Sequence, residues 1–451
     1  MRKFRIVRLV GLHLGQAGPS LSTIRGEFRE LSFREQLEAL MESRILFSNS
    51  FSHSMTQIGH EAYELIWDCE VLQKTWAAEN GLKITDKNWM LEVLVAQLSI
   101  IQPEIIYFQG TELCIPGRFG ERKRDVTLPM LLREKFPFIR LQVMFSGYPS
   151  SIKRTQGVDI LFGCSPAVVR SYKYYGTDCL LCYHGFDSRV LNELGAPTRE
   201  KNGLSFVGAT QAPRDRYWLI KKLMEETSLE LWIDSADESG AINSQRARSN
   251  ISTMVVLKRA GRRQLEKLAT TVSQSVLQQI TQRGWCPSKL RQLADDTLFR
   301  QYVHGPDMKL RDLELPNTVP EQTLGEVYPG RCAPQVVGLD YYNVIRNSQV
   351  TVNRHTDKSM GSVGNMRMFE ATGVGTCLLT DSGENMGDLF LEGKEVVTYR
   401  TAKEATDKSQ YLMKNEKECA EIALAGQSRT LKEHTIEQRC QYISEIIESR
   451  I

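Results

Sequence analysis

Along this chain, short runs of consecutive apolar residues alternate with stretches in which apolar positions return every three or four residues. KFRIVRLVG, PEIIYFQG, IRLQVMFSG, GVDILFGCS and CLLCYHGF are bounded by Gly, Pro or Ser. Apolar runs of that length, unbroken by alternation, are the mark of strands buried on both faces. Between them, Phe33–Leu46 places Phe33, Leu37, Leu40 and Met41 at helical spacing, and a second helix is predicted around His60–Trp76. Trp89–Ile101 continues as helix until Gln102-Pro103 ends it, and LPMLLREKFP supplies another.

A second series begins at GLSFVG and continues through a helix at Asp215–Thr227 and the strand LELWID. After a long stretch it resumes with a helix at Gly338–Asn347, the strand QVTVN, the helix NMRMFEATGV, the strand TCLLTD, the short helix ENMGDLFL and the strand EVVTYR. Strand and helix in alternation imply parallel sheets with crossover helices. At 451 residues the chain is too long for one core. The expected architecture is therefore α/β with two Rossmann-like domains, 1–191 and 204–430, joined by the polar, Gly- and Pro-bearing linker 192–203. Residues 235–335 break the alternation: Ile251–Gln282 is helical in pattern, and the prolines from Pro306 to Pro334 mark irregular chain. They read as a helical insertion in the second domain. From Ala402 onward the chain is helix-rich, with a last helix over Gln427–Ile447 that makes 431–451 a C-terminal helical segment.

Composition narrows the picture mainly by exclusion. Hydrophobic residues at 41% and charged residues at 25% are those of an ordinary globular protein, and a net charge of +3 gives no sign of a nucleic-acid partner. The basic clusters Arg118–Arg124 and Lys258–Arg263 read first as solvated faces, with lipid headgroups or anionic acceptors as the alternative. The opening MRKFRIVRLVG is interrupted by Arg5 and Arg8 and reads as a strand rather than a signal segment, and no run is long enough to span a membrane. Ten cysteines, several inside apolar runs, suggest buried thiols in the cytoplasm, and the lone CxxC, Cys179–Cys182, lacks a second pair for zinc. No metal site is expected.

Candidate chemistry gathers at strand ends of the second half. Gly208, Ala209 and Thr210 form a strand-to-helix turn, and Met360–Asn365 (MGSVGN), with Gly361 and Gly364, forms another before the helix that starts near Asn365. Amides and the dipole at such turns attract phosphate. Arg214 and Arg367 offer delocalised cations suited to forked phosphate contact. Asn353, Arg354 and His355 end one strand, and Asp381 and Asn385 follow another, where α/β sheets bind ligands. Each has a plain alternative: carbonyl capping for Arg354 and His355, and an N-cap for Asp381. In the first half, His13, His184 and Asp187 are the candidate bases.

The block from Gln349 to Arg400, with its Asn-Arg-His strand end, N-x-R-x-F-E-A helix opening, G-x-G turn, Thr-Asp strand end and Tyr-bearing strand, resembles the CgeB-like, group 1 glycosyltransferases. GLSFVGATQAPRDRYWLIKKL resembles the first strand, loop and helix of that family's donor domain. The resemblance implies a GT-B fold whose domains face a cleft. It implies transfer of a sugar from a nucleotide-sugar donor to a saccharide, lipid-linked or protein acceptor, as in cell-surface polysaccharide biosynthesis. It also implies leaving-group charge carried by arginine without metal or other cofactor, and a location in the cytoplasm, at most peripheral to the inner membrane face. Glu370 falls where the family binds the donor's ribose hydroxyls, the alternative being an i,i+3 ion pair with Arg367. Ser362 stands where the wider retaining enzymes carry a glutamate. A nucleotide-sugar epimerase on the same fold, or a nucleotide-binding scaffold without turnover, are the competing readings. Oligomeric state is left open.

Overall fold

The computed structural model describes residues 2–11, 28–45, 48–114, 126–195, 203–210, 214–233, 299, 302–305, 308, 310, 312–313 and 323–451. A first parallel sheet, of order β2-β1-β3-β4-β5-β6, comprises β1 (Arg5–Val10), β2 (Glu61–Ile66), β3 (Ile105–Gln109), β4 (Leu141–Ser146), β5 (Ile160–Gly163) and β6 (Leu180–Leu181). Its helices are α1 (Phe33–Glu42), α2 (Ser50–Ile58), α3 (Glu70–Glu79), α4 (Trp89–Ile101), α5 (Leu128–Lys135), α6 (Pro166–Tyr174) and α7 (Val190–Glu193). β1 has neighbours on both edges and helices on its faces, so its apolar residues are wholly buried. Arg8 in its centre is 2% exposed and pairs at 2.5 Å with Glu64, its register partner on β2. A buried cation is tolerated there because its counter-charge is built into the adjacent strand.

The helix expected around His60–Trp76 is instead β2 followed by α3. Gly59, left-handed at φ 106, ends α2. Glu61–Ile66 then pairs with β1 along its full length, so sheet contacts override the helical preference of Glu, Ala and Leu. The last strand of this sheet is shorter than CLLCYHGF suggests: only Leu180–Leu181 pair.

The second parallel sheet, of order β12-β11-β10-β7-β8-β9, comprises β7 (Leu204–Val207), β8 (Leu229–Ile233), β9 (Cys332–Pro334), β10 (Val350–Asn353), β11 (Cys377–Asp381) and β12 (Val397–Tyr399). With it go α8 (Arg214–Glu226), α9 (Leu324–Val327), α10 (Gly338–Asn347), α11 (Met366–Gly373), α12 (Met386–Leu389), α13 (Ala402–Lys414), α14 (Glu416–Glu433) and α15 (Ile436–Glu448). β9 lies inside the stretch expected to be an insertion, so its C-terminal end belongs to the sheet edge. Residues 234–298, including the helix expected over 251–282, and linker residues 196–202 lie outside the described residues.

The final helix is also not continuous over Gln427–Ile447. At His434 and Thr435 the chain adds to Phe186, with Phe186 N–H donating to His434 O at 2.9 Å and Ile436 N–H to Phe186 O at 2.9 Å. A Thr435–Gln438 capping box then starts α15. This helix crosses back and buries Cys440, Ile443 and Ile447 in the core of the first sheet. No helix among the described residues is long and apolar enough to cross a membrane.

Candidate active site

The carboxyl ends of the two sheets face each other across a cavity of about 660 Å³, with Tyr148, Ser165 and His184 on one wall and Gly208, His355 and Arg367 on the other. Such strand ends are where α/β sheets expose amides and polar side chains to a ligand. The Gly208 turn adopts φ 131, and a Cβ there would lie 2.6 Å from Arg367 Nη2. Glycine is required for the guanidinium to rest against the turn. The amide of Gly208 itself is committed to Trp232 O at 2.9 Å. Thr210 is buried behind the turn, and the side chain of Arg214 lies outside the described residues.

The second cation at this turn is Arg216. It donates to Ala209 O at 3.1 Å and to Arg354 O at 2.6 Å, while its Nε is buried and has no partner among the described residues. Arg367 shares that condition: its Nε is buried without a partner, and its guanidinium lies over the Phe206 ring at 5.2 Å. Burial and the neighbouring Arg367 charge push the Arg216 guanidinium down to about 10, which still leaves it charged at neutral pH. Two crowded cations with donors left over form a site short of an anion. The sequence carried a signal for Arg216: it lies three and four residues before the buried Leu219 and Ile220, on the helix face turned to the sheet.

The MGSVGN loop turns most of its amides inward rather than toward the cavity. Ser362 N–H donates to Ser359 O at 2.9 Å, Val363 N–H to Asn385 Oδ1 at 2.8 Å, and Gly364 and Asn365 N–H to His355 Nε2 at 3.1 and 3.4 Å. The first-turn amides of α11, at Met366 and Arg367, have no carbonyl behind them in the helix to bond. His355 Nδ1 lies 2.8 Å from Asp381 Oδ1, so its Nδ1 carries the proton, donates to the carboxylate, and leaves Nε2 as the acceptor that fastens the loop. Asn385 and Asn365 hold the same loop through Val363 and Asn353, and Asn353 is fully buried.

Asp381 also accepts from the His355 amide and from Arg354 Nη1 at 2.5 Å, and Arg354 Nη2 reaches Asp215. Burial alone would raise the Asp381 carboxyl, but His355 and Arg354 hold it well below the usual carboxylate range. Asn353, Arg354, His355, Asp381 and Asn385 thus form a buried frame behind the cavity, of which only His355 reaches its wall. Asp215, which completes the frame from α8, was not singled out in the sequence because nothing local marks its distant partner.

Glu370 lines the cavity, accepts from Tyr341 Oη at 2.6 Å, and is not bonded to Arg367 as an exposed i,i+3 pair. Burial raises its carboxyl, while the Tyr341 hydroxyl and the Arg367 charge pull it back. Ser362 donates to Glu384 Oε1 at 2.6 Å and accepts from Ala167 N–H at 3.0 Å, and Glu384 pairs with Arg170 at 2.5 Å. The position expected of a glutamate therefore ties the second domain to α6 of the first.

On the opposite wall, His184 lines the cavity, and burial followed by the Arg439 charge pushes it down to about 4. Asp187 is clamped by Arg189 at 2.6 Å and Arg44 at 3.4 Å, so both of its oxygens are committed to guanidiniums. His13 lies outside the described residues.

Residues 289–445 match the family model described as glycosyl transferase-like. A glycosyltransferase from Rickettsia africae ESF-5 is similar in structure, with TM-score 0.50 and 7% identity over 100% of this chain and 99% of that one. HepE from Anabaena, solved in complex with UDP and glucose, gives TM-score 0.51 and 11% identity over 99% of this chain and 100% of that one. At such identity the likeness is one of fold, and the fold of this chain is GT-B. No curated protein matches the chain.

Proposed function

We propose that the chain transfers a sugar from a nucleotide-sugar donor to the hydroxyl of a saccharide, lipid-linked or protein acceptor, and that within the glycosyl transferase-like family it stands with the CgeB-like, group 1 enzymes. The observation that carries this reading is the pair Arg216 and Arg367 at the Gly208 turn, each with a buried Nε–H that lacks a partner among the described residues. As the bond to the anomeric carbon breaks, negative charge grows on the departing diphosphate. Fixed guanidiniums in a cleft stabilise that charge more than they stabilise the intact donor. In this reading they stand in for a divalent metal, and the Met366 and Arg367 amides at the start of α11 add to them. Glu370, an acceptor-only carboxylate, takes the ribose hydroxyls. Its bond from Tyr341 fixes one oxygen and leaves the other for the ligand.

The test is to incubate the protein with a panel of nucleotide sugars and acceptors and measure release of nucleoside diphosphate alongside ligand-induced thermal stabilisation. Glu370→Ala is expected to weaken nucleotide binding by about 10-fold or more with little change in the melting temperature of the free protein. Absence of stabilisation by any nucleotide would overturn the reading.

His184 is the proposed base. A group at about 4 is neutral at pH 7 and free to accept the proton of the acceptor hydroxyl. The acid limb of the kcat/KM profile is then expected near pH 4 rather than near 6.5, and His184→Gln should remove it. A limb near 6.5 that survives the substitution assigns the base elsewhere.

A further inference from the structure

The strand that leads to His184 stops short of it: β6 pairs only through Leu181, and Cys182 N–H donating to Gly163 O at 3.0 Å is its last bond to the sheet. From there the chain is held by the joint between α14 and α15 instead. Phe186 shares backbone bonds of 2.9 Å with His434 and Ile436, and a Cβ on Gly185 would overlap the Thr435 carbonyl at 2.8 Å. The His184 carbonyl accepts from Arg439 Nε at 3.2 Å, its one donor among the described residues. Arg439 spreads its other nitrogens to Glu433 O at 3.1 Å and His434 Nδ1 at 2.8 Å. His434 Nε2 lies 2.8 Å from Leu389 O, so Nε2 carries the proton and Nδ1 accepts from the guanidinium.

These acceptors are neutral, and Arg439 meets no carboxylate among the described residues. A guanidinium drawn out of water without a counter-charge is a cost to folding. What it supplies is a rigid fork of donors that ties separate chain segments together. Those segments come from both sides of the cavity. Leu389 ends α12, which follows the Asn385 that holds Val363. α14 is fastened to α11 by the Thr430 and Thr372 hydroxyls, 2.6 Å apart, and by Gln427 Nε2 donating to Gly373 O at 2.9 Å. α11 in turn presents Arg367 and Glu370 to the cavity. On the other side, the His184 ring rests edge-on against Phe145 at 5.1 Å and its nitrogens have no protein partner among the described residues, so its backbone is the handle by which it is placed. We propose, on the donor and base readings above, that Arg439 is a positioning residue for His184. It carries the hold of α11 and α12 on α14 across to the chain that bears the base, and so fixes where the imidazole stands relative to the departing diphosphate.

Steady-state kinetics of Arg439→Met, His184→Gln and the double variant of the whole chain, with the donor that the parent turns over, test this. Arg439→Met is expected to lower kcat by about 10- to 100-fold, the cost of misplacing a reacting group by about 1 Å, while the donor KM stays within about 2-fold. Nucleoside diphosphate should stabilise the variant as it does the parent. In the His184→Gln background the same substitution should cost nothing further, because the group it places is already gone. His434→Phe keeps a ring between Phe369 and Phe390 but offers Arg439 no acceptor. It should reproduce the pattern with a smaller loss, and it carries the test if Arg439→Met does not fold. Parent kcat in both single variants at the joint, losses that add in the double variant, or a fall in donor binding as large as the fall in kcat overturns the role of Arg439 and leaves the donor reading in place. Parent kcat in His184→Gln overturns the base and the role of Arg439 together. A parent protein that turns over no nucleotide sugar overturns the donor reading as well.

Discussion

Replacing Arg367 by methionine is expected to lower kcat/KM for donor turnover by about 10²–10³-fold, the scale seen when one donor to a developing negative charge is removed. The guanidinium has no carboxylate partner in the hydrogen bonds and ion pairs of the described residues. It is held by the Phe206 ring and by the space that Gly208 leaves for it. Its removal relieves the repulsion that depresses Arg216 but takes the nearby cation from the buried Glu370 carboxyl, and with these two effects opposed the free protein should melt close to its parent. A residue held for folding would behave in the opposite way. Arg367→Lys keeps the charge but not the fork, and should fall between the two. Kinetics with the accepted donor, together with melting curves with and without nucleoside diphosphate, separate these roles. Unchanged turnover in Arg367→Met with full stabilisation by nucleotide would place the diphosphate elsewhere.

The second large effect belongs to the frame behind the cavity. Asp381→Asn leaves Arg354 with Asp215 as its remaining carboxylate and takes from His355 the charge that orients it. Breaking one partner out of a buried ion network costs about 3–5 kcal/mol, because the charge left behind is neither hydrated nor matched. The loss should also depend on pH with a definite sign. The folded carboxyl titrates well below the unfolded value of about 3.9, so the stability it contributes is present above that value and is lost as pH falls through the folded one. Denaturant unfolding of parent and variant should therefore differ most at neutral pH and converge as the solution is acidified below about pH 4. A gap that stays constant down to pH 2 would show that the carboxylate's charge is not what stabilises the fold.

The sequence disclosed the strand, loop and helix succession from β10 to β12 because each of those elements carries its own period and is closed by Gly, Asn or Thr at a turn. It disclosed β2 poorly. Glu61–Ile66 has the composition of a helix and becomes a strand only through β1, which lies more than fifty residues earlier. At the site, Arg367 and Glu370 could be placed on the cavity wall because the phase of a single helix projects both from α11. The polar residues of the neighbouring strand ends could not be sorted into ligand-facing and frame-building sets. Arg354 turns inward because Asp215 waits on α8, a partner far away in sequence. Likewise, the MGSVGN amides are withheld from a ligand because His355 and Asn385 accept them, a pairing that exists only after the strands are side by side.

The return of α15 to the first domain bears on the order in which the protein is assembled. Cys440, Ile443 and Ile447 fill the core around β1 and β3, and Ser444 meets His60 at 2.8 Å, so the first domain is completed by residues synthesised after the second. Until the ribosome has made α15, the first sheet stays open at the place where that helix will lie. The two halves therefore mature together rather than in succession.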